Sequence, residues 1–244
     1  MLNVARLGSC SYREGLALQA GLVEARAAGR TGDWLLYPDH PPVLTVGRNP
    51  SPGSLIADRA TLERAGIELF EVARGGDITW HGPGQLVGYL IADLTPRDRD
   101  LHRFLRDLEQ GLIDAIGSWG LAAERVPGRT GVWVEGEKIA SIGVAVRRWV
   151  SYHGFALNVA PDMKFFDLIH PCGLRGIKMT SLARRMGAEV PTLPAAAGRV
   201  AEHMARRLEA GGWTWKDADE ARRLAGVDVA STAGPRPLTR GNQC

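Results

Sequence analysis

The 244-residue chain is 45% hydrophobic and 23% charged, the ordinary globular range, which argues against a disordered protein. Its net charge of +3, with arginine far outnumbering lysine, is too small and too scattered to make nucleic acid a main partner. No apolar run of about 18 residues occurs, and the N-terminus MLNVARLGSCSYREG lacks a basic start and an apolar stretch, so neither a membrane span nor a signal peptide is expected.

Residues 12–28 carry apolar side chains at helical spacing and stop at Gly29. Two short runs, 34–38 and 42–47, are bounded by Pro and Gly and predict strands. A short helix is expected over 58–66, capped by Asp58 and ended by Gly66, then strands at 67–73 and 86–94. The stripe Leu101, Phe104, Leu105, Leu108, Leu112, Ile113 and Ile116 predicts the longest helix, 100–120. Residues 130–159 read as three antiparallel strands turning near EGE and RRW. Residues 162–173 look irregular, with room for one helical turn. Helices are predicted at 179–187, capped by Thr180 or Ser181, and at 193–212. The fold class is therefore α/β (α+β): one mixed sheet with an antiparallel meander and helices packed on its faces. A single catalytic domain is expected over 1–227, with a flexible tail over 228–244, where Gly, Pro, Ser and Thr concentrate.

The stretch RGGDITWHGPGQ, residues 74–85, places four glycines beside an arginine and a histidine. A phosphate loop is excluded, because no Lys-Ser/Thr follows the glycines, and a dinucleotide fingerprint is excluded, because a strand pattern rather than a helix follows. What remains is a strand-loop-strand whose glycines let a ligand lie against backbone, or a bulged hairpin that needs them for its turns. Arg74 and His81 flanking the glycines favour the ligand.

The three cysteines, Cys10, Cys172 and Cys244, are odd in number and lack CxxC spacing, which argues against a disulfide framework or a zinc site and for a reducing cytosol. Cys172 in HPCG has the setting of a presented nucleophile, although free cysteines more often are small buried hydrophobes. Cys10 and Cys244 have no such setting and are given no role. A reactive thiol needs a neighbour that takes its proton, and His81, His153, His170 and Lys138 are on offer. Alternation puts Lys138 on one strand face with Ala140, Ile142, Val144 and Val146, which would turn its amine inward, where loss of water favours the neutral base. An exposed lysine after the EGE turn is the plainer reading of the spacing.

Taken together, RGGDITWHGPGQLVGY, GVWVEGEKIASIGV, HGFALNV, HPCG with MTSL, and the upstream HPPVLTVGR resemble the octanoyltransferase family of lipoate synthesis (lipoyl(octanoyl) transferase, lipoate-protein ligase B). The resemblance runs in order from about residue 10 to about residue 210. It implies the biotin/lipoate protein ligase-like fold, with octanoyl transfer from octanoyl-acyl carrier protein to a lysine of lipoyl domains. Those acceptors belong to the 2-oxoacid dehydrogenase and glycine cleavage complexes. The same resemblance makes Cys172 the nucleophile that carries the acyl group as a thioester, and Lys138 its partner. It assigns acyl binding to Arg74, Gly75, Gly76, Asp77, Ile78, Thr79, Trp80 and His81, to Ser141, Ile142 and Gly143, and to Gly154, Phe155 and Ala156. It implies no cofactor, no metal, no nucleic acid and no membrane partner, and a cytoplasmic enzyme. The rivals are an ATP-dependent lipoate or biotin ligase, a cysteine hydrolase and a non-catalytic binder of acyl carrier proteins.

Overall fold

The computed structural model describes residues 1–170 and 176–227. Cys172 and the tail expected from residue 228 lie outside the described residues. In chain order the elements are β1 (Leu2–Ser9), α1 (Tyr12–Ala27), β2 (Trp34–Asp39), β3 (Val43–Val46), α2 (Arg59–Arg64), β4 (Glu68–Glu71), β5 (Ile78–His81) and β6 (Gln85–Ile91). They continue with α3 (Leu101–Gly117), β7 (Glu124–Val126), β8 (Arg129–Val134), β9 (Glu137–Arg147), β10 (Val150–Asn158), α4 (Leu182–Met186), α5 (Leu193–Arg207), β11 (Trp213–Trp215) and α6 (Ala218–Ala225). A six-residue 3-10 helix, Met163–Leu168, lies in the stretch expected to be irregular with room for one helical turn.

Among the described residues the strands form two sheets, where the sequence suggests one. The larger has eight strands in the order β11-β1-β2-β6-β10-β9-β8-β7, and the smaller has three, β4-β3-β5. β1 pairs in parallel with β2 and β11, and the rest of the large sheet is antiparallel. The glycine stretch divides between them: β5 ends the small sheet and β6 lies inside the large one. It is therefore a crossing between sheets and not a hairpin.

The large sheet is covered on both faces. β2 is buried at every position from Trp34 to Pro38, the signature of a strand with no solvent face. On one face α3 and α5 pack Phe104, Leu108, Leu112, Val200 and Met204 against Leu35, Leu90 and Leu157. Each such side chain contributes about 1.5–3 kcal/mol by leaving water. On the other face α1 and α6 cover Trp34, Leu36, Ile91 and Ala156. Gly21 of α1 explains how close α6 comes, because a Cβ there would meet the backbone of Ala225. The helices start where side-chain caps allow: Asp58 accepts from Thr61 N at 2.7 Å, Asp100 from Arg103 N at 3.0 Å, and Ser181 from Arg184 N at 3.2 Å. Of the two cap residues expected for α4, Ser181 is the one used. α5 ends at Arg207, five residues short of its expected end at 212. Among the described residues no helix is long and apolar enough to cross a membrane.

Candidate active site

Between the two sheets lies a cleft lined by residues of β5, β6, β9 and β10. One wall comes from β9 and β10. Gly143 stands directly opposite Gly154 in the ladder, and Ser141 opposite Ala156. These positions form the middle of two long strands, with no turn at 141–143. The other wall is the crossing from the small sheet, with Gly76, Asp77, Ile78, Thr79 and His81. Gly75 docks it: its N–H donates to Val144 O at 2.9 Å. That approach requires a bare Gly143, since a Cβ there would come within 2.9 Å of Gly75 O and 3.1 Å of Arg74 Cδ. The buried Arg74 guanidinium fastens the crossing to β3, donating through Nη2 to Thr45 O at 2.6 Å and to Thr45 Oγ1 at 2.8 Å. Asp77 organises the loop beyond β3, accepting from Ser51 N at 3.0 Å, Ser54 Oγ at 2.6 Å and its neighbour Ile78 N at 2.7 Å. Arg74 and Asp77 therefore act as struts of the cleft.

Lys138 reaches the cleft by a route that alternation does not give. Between β8 and β9 the register shifts: Val132 pairs with Ala140 and Trp133 with Lys138, leaving Ile139 as an extra residue. Such a bulge turns two successive side chains to one side. Ile139 and Ala140 both enter the core under α3 and α5, and Lys138 lands on the opposite face, with Ser141 and Gly143. The expectation that Lys138 shares a face with Ala140, Ile142, Val144 and Val146 is thus corrected, and so is its reading as an exposed lysine: only 1% of it is accessible. Its stem lies along β8, with Nζ 5.7 Å from the centre of the Trp133 ring. Gly131, at φ +129°, makes the room, because a Cβ there would sit 2.6 Å from Lys138 Cε.

The chain on either side of residues 171–175 is anchored at the cleft. His170 N donates to Ser54 O at 2.7 Å, on the loop organised by Asp77. Beyond them, Lys138 N donates to Lys178 O at 2.8 Å and Thr180 N donates to Lys138 O at 2.9 Å, a parallel bridge onto the lysine's own backbone.

Three buried histidines stand on the cleft side. Desolvation holds His81 down to about 3, against a favourable bond from Gln85, and holds His40 and His153 down to about 4. All three are neutral imidazoles at neutral pH. His40 Nδ1 donates to Cys10 O at 2.7 Å, and the Tyr89 hydroxyl donates to its Nε2 at 2.6 Å. His153 adopts φ +57°, a left-handed conformation that is uncommon outside glycine. Cys10 is buried, and desolvation pushes its thiol up to about 12, which makes it inert. Among the described residues no three His, Cys, Asp or Glu side chains are grouped to hold a metal ion.

Residues 11–205 match the family described as lipoyl protein ligase A/B catalytic domain. The chain belongs to that family. The octanoyltransferase of Geobacter sulfurreducens is 46% identical over 236 residues, covering 97% of each chain. That of Solibacter usitatus is 50% identical over 169 residues, 69% of this chain and 77% of the relative. Lipoate-protein ligase A bound with ATP shares the fold, with a TM-score of 0.68 at 14% identity over 93% of each chain. So does the bi-partite lipoate protein ligase of Thermoplasma acidophilum, with a TM-score of 0.66 at 15% identity over 94% of each chain.

The cleft gathers Lys138 and most of the acyl-binding residues expected from the sequence, drawn from β5, β9, β10 and the crossing. It does not gather Gly75, which is docked on Val144 O, or Trp80. Trp80 points into a third core, where it stacks on Phe165 at 4.9 Å; Ile78 borders both that core and the cleft. Tyr12, Val87 and Tyr89 line the cleft without having been singled out. Tyr12 opens a helix and Val87 and Tyr89 alternate along β6, so only knowledge of which face meets the small sheet would have marked them.

Proposed function

We propose that this chain is an octanoyltransferase whose single catalytic domain, residues 1–227, moves an octanoyl group from octanoyl-acyl carrier protein to a lysine of lipoyl domains, through a thioester on Cys172. The observation that carries the reading is the buried Lys138 amine, turned onto the cleft and bridged through its backbone to the segment that follows Cys172. Family membership and the octanoyltransferase relatives support it.

In the first half-reaction the Cys172 sulfur attacks the donor thioester carbonyl, the C–S bond to the carrier breaks, and the carrier thiol leaves with a proton. Lys138 takes the Cys172 proton and returns it to the leaving thiol. In the second, the acceptor lysine amine attacks the acyl-cysteine, an amide forms, and Cys172 recovers its proton. The donor acyl group is already activated, so no nucleotide is consumed. The stripped surface at Gly143, Gly154 and Ala156 takes the thin alkyl chain. Arg74, Asp77 and Thr79 keep the facing wall in place.

Mixing the protein with octanoyl-carrier protein and weighing it intact tests this. One octanoyl adduct is expected on the native chain and none on Cys172→Ser. An adduct that persists in Cys172→Ser refutes the assignment of the nucleophile. Absence of any adduct, with activity dependent on ATP, would make the protein a free-acid ligase.

A further inference from the structure

A chain of buried amides runs behind the cleft. Asn158 Nδ2 donates to Thr180 O at 2.9 Å. Gln85 Nε2 donates to Asn158 Oδ1 at 3.0 Å and to Trp80 O at 3.2 Å. Gln85 Oε1 lies 2.8 Å from His81 Nδ1. Gln85, Asn158, Thr180 and His81 are all buried. Thr180 is itself fixed, since its N–H donates to Lys138 O at 2.9 Å.

The direction of this chain has one solution. A backbone carbonyl only accepts, so Thr180 O must face the NH₂ of Asn158. The Asn158 oxygen then faces Gln85, which must present its own NH₂, a choice enforced a second time by Trp80 O. Gln85 is left with only its oxygen for His81. A neutral imidazole carries one proton, and here it must sit on Nδ1.

We propose that Gln85 and Asn158 are positioning residues that lock the tautomer of His81, leaving Nε2 as its bare acceptor beside the cleft, suited to an N–H of the amine that attacks the acyl-cysteine. The register of the Lys178–Thr180 segment on Lys138 sets the polarity of the relay, so the lysine and the histidine are oriented by one hydrogen-bonded unit. The role given to the amine rests on the acyl-transfer reading; the tautomer does not.

The test is a ¹⁵N–¹H correlation spectrum of histidine-labelled protein, with His81 assigned by its absence from His81→Phe. The proton is expected on Nδ1 in the native chain. Asn158→Leu and Gln85→Leu are expected to give mixed tautomers. They should slow single-turnover attack by the acceptor on pre-acylated enzyme by about tenfold or more, with KM for the acceptor unchanged. A native His81 protonated on Nε2 overturns the proposal, as does an unaltered amine step in either Leu variant. If Asn158→Leu does not fold, the native spectrum and Gln85→Leu decide. Failure to form any acyl-enzyme would instead remove the transfer reading and leave the tautomer measurement standing.

Discussion

The side of β9 and β10 that faces α3 and α5 is filled with side chains, whereas the side that faces the cleft is stripped of them. On the filled side Ile139, Ala140, Val144, Phe155 and Leu157 interlock with the helices. On the stripped side Gly143 faces Gly154, and the chain carrying Gly75 lies directly on the strand. The difference teaches how one sheet serves two ends. Removing atoms from the filled face is expected to cost stability, whereas adding atoms to the stripped face, or taking away the buried Lys138 amine, is expected to cost function.

The sharpest way to separate the faces is to remove that amine. Lys138→Ala is expected to lower octanoyl transfer by about 10²-fold or more, the usual worth of a positioned proton acceptor, and to slow alkylation of Cys172 near neutral pH. Equal alkylation rates in the two proteins would break the link between lysine and thiol. On the filled face Leu112→Ala should cost about 2–5 kcal/mol in chemical denaturation while leaving kcat of the folded protein near native. Gly131→Ala tests the boundary between the two. Its Cβ would press on Lys138 Cε and Ala140 O at a φ of +129°, so about 1–3 kcal/mol of stability should go, with a fall in transfer beyond what that loss explains. A drop in stability with native kcat would mean that Lys138 does not need the space.

Acid gives the mildest contrast, and it acts on the cleft side. His40, His81 and His153 have folded values of about 4, 3 and 4, below an unfolded value of about 6.5. Between those limits the unfolded chain binds protons that the folded one refuses. Their contribution is therefore complete above about pH 6.5 and is lost as pH falls towards 4, by up to about 1.4 kcal/mol per pH unit for each histidine. Denaturation midpoints measured from pH 7 to pH 4.5 should decline along that slope, and a flat profile would remove the neutral-imidazole description.

Much of this arrangement was legible in the sequence. The cap Asp58, the stripe of α3 and the meander of β8, β9 and β10 appear where local chemistry puts them. The segments that escaped are those whose pairing is distant. β1 has few local signals beyond LNVARLGS, and β11 is three residues long; both exist because of strands far away in the chain. α6 was hidden in a polar stretch, and the trace it left is Gly21, where α1 has no side chain. Lys138 was recognised through resemblance, while its orientation was misread, because alternation presumes a strand without an extra residue. Gln85 and Asn158 stood in quoted motifs without a role: hydrogen bonds across 73 and 22 residues have no local spacing.

The bulge in β9 also determines which changes of chain length the active site can survive. Deleting Ile139 would make Lys138 and Ala140 neighbours on a regular strand, and neighbours point to opposite faces, so the amine would still look into the cleft. Deleting Ser141 instead would turn every residue between the bulge and that point against the rest of the strand, moving Lys138 under the helices or Gly143 away from Gly75. Loss of a residue at 139 therefore leaves the facing of Lys138 intact, while strict parity is required from Ala140 onward.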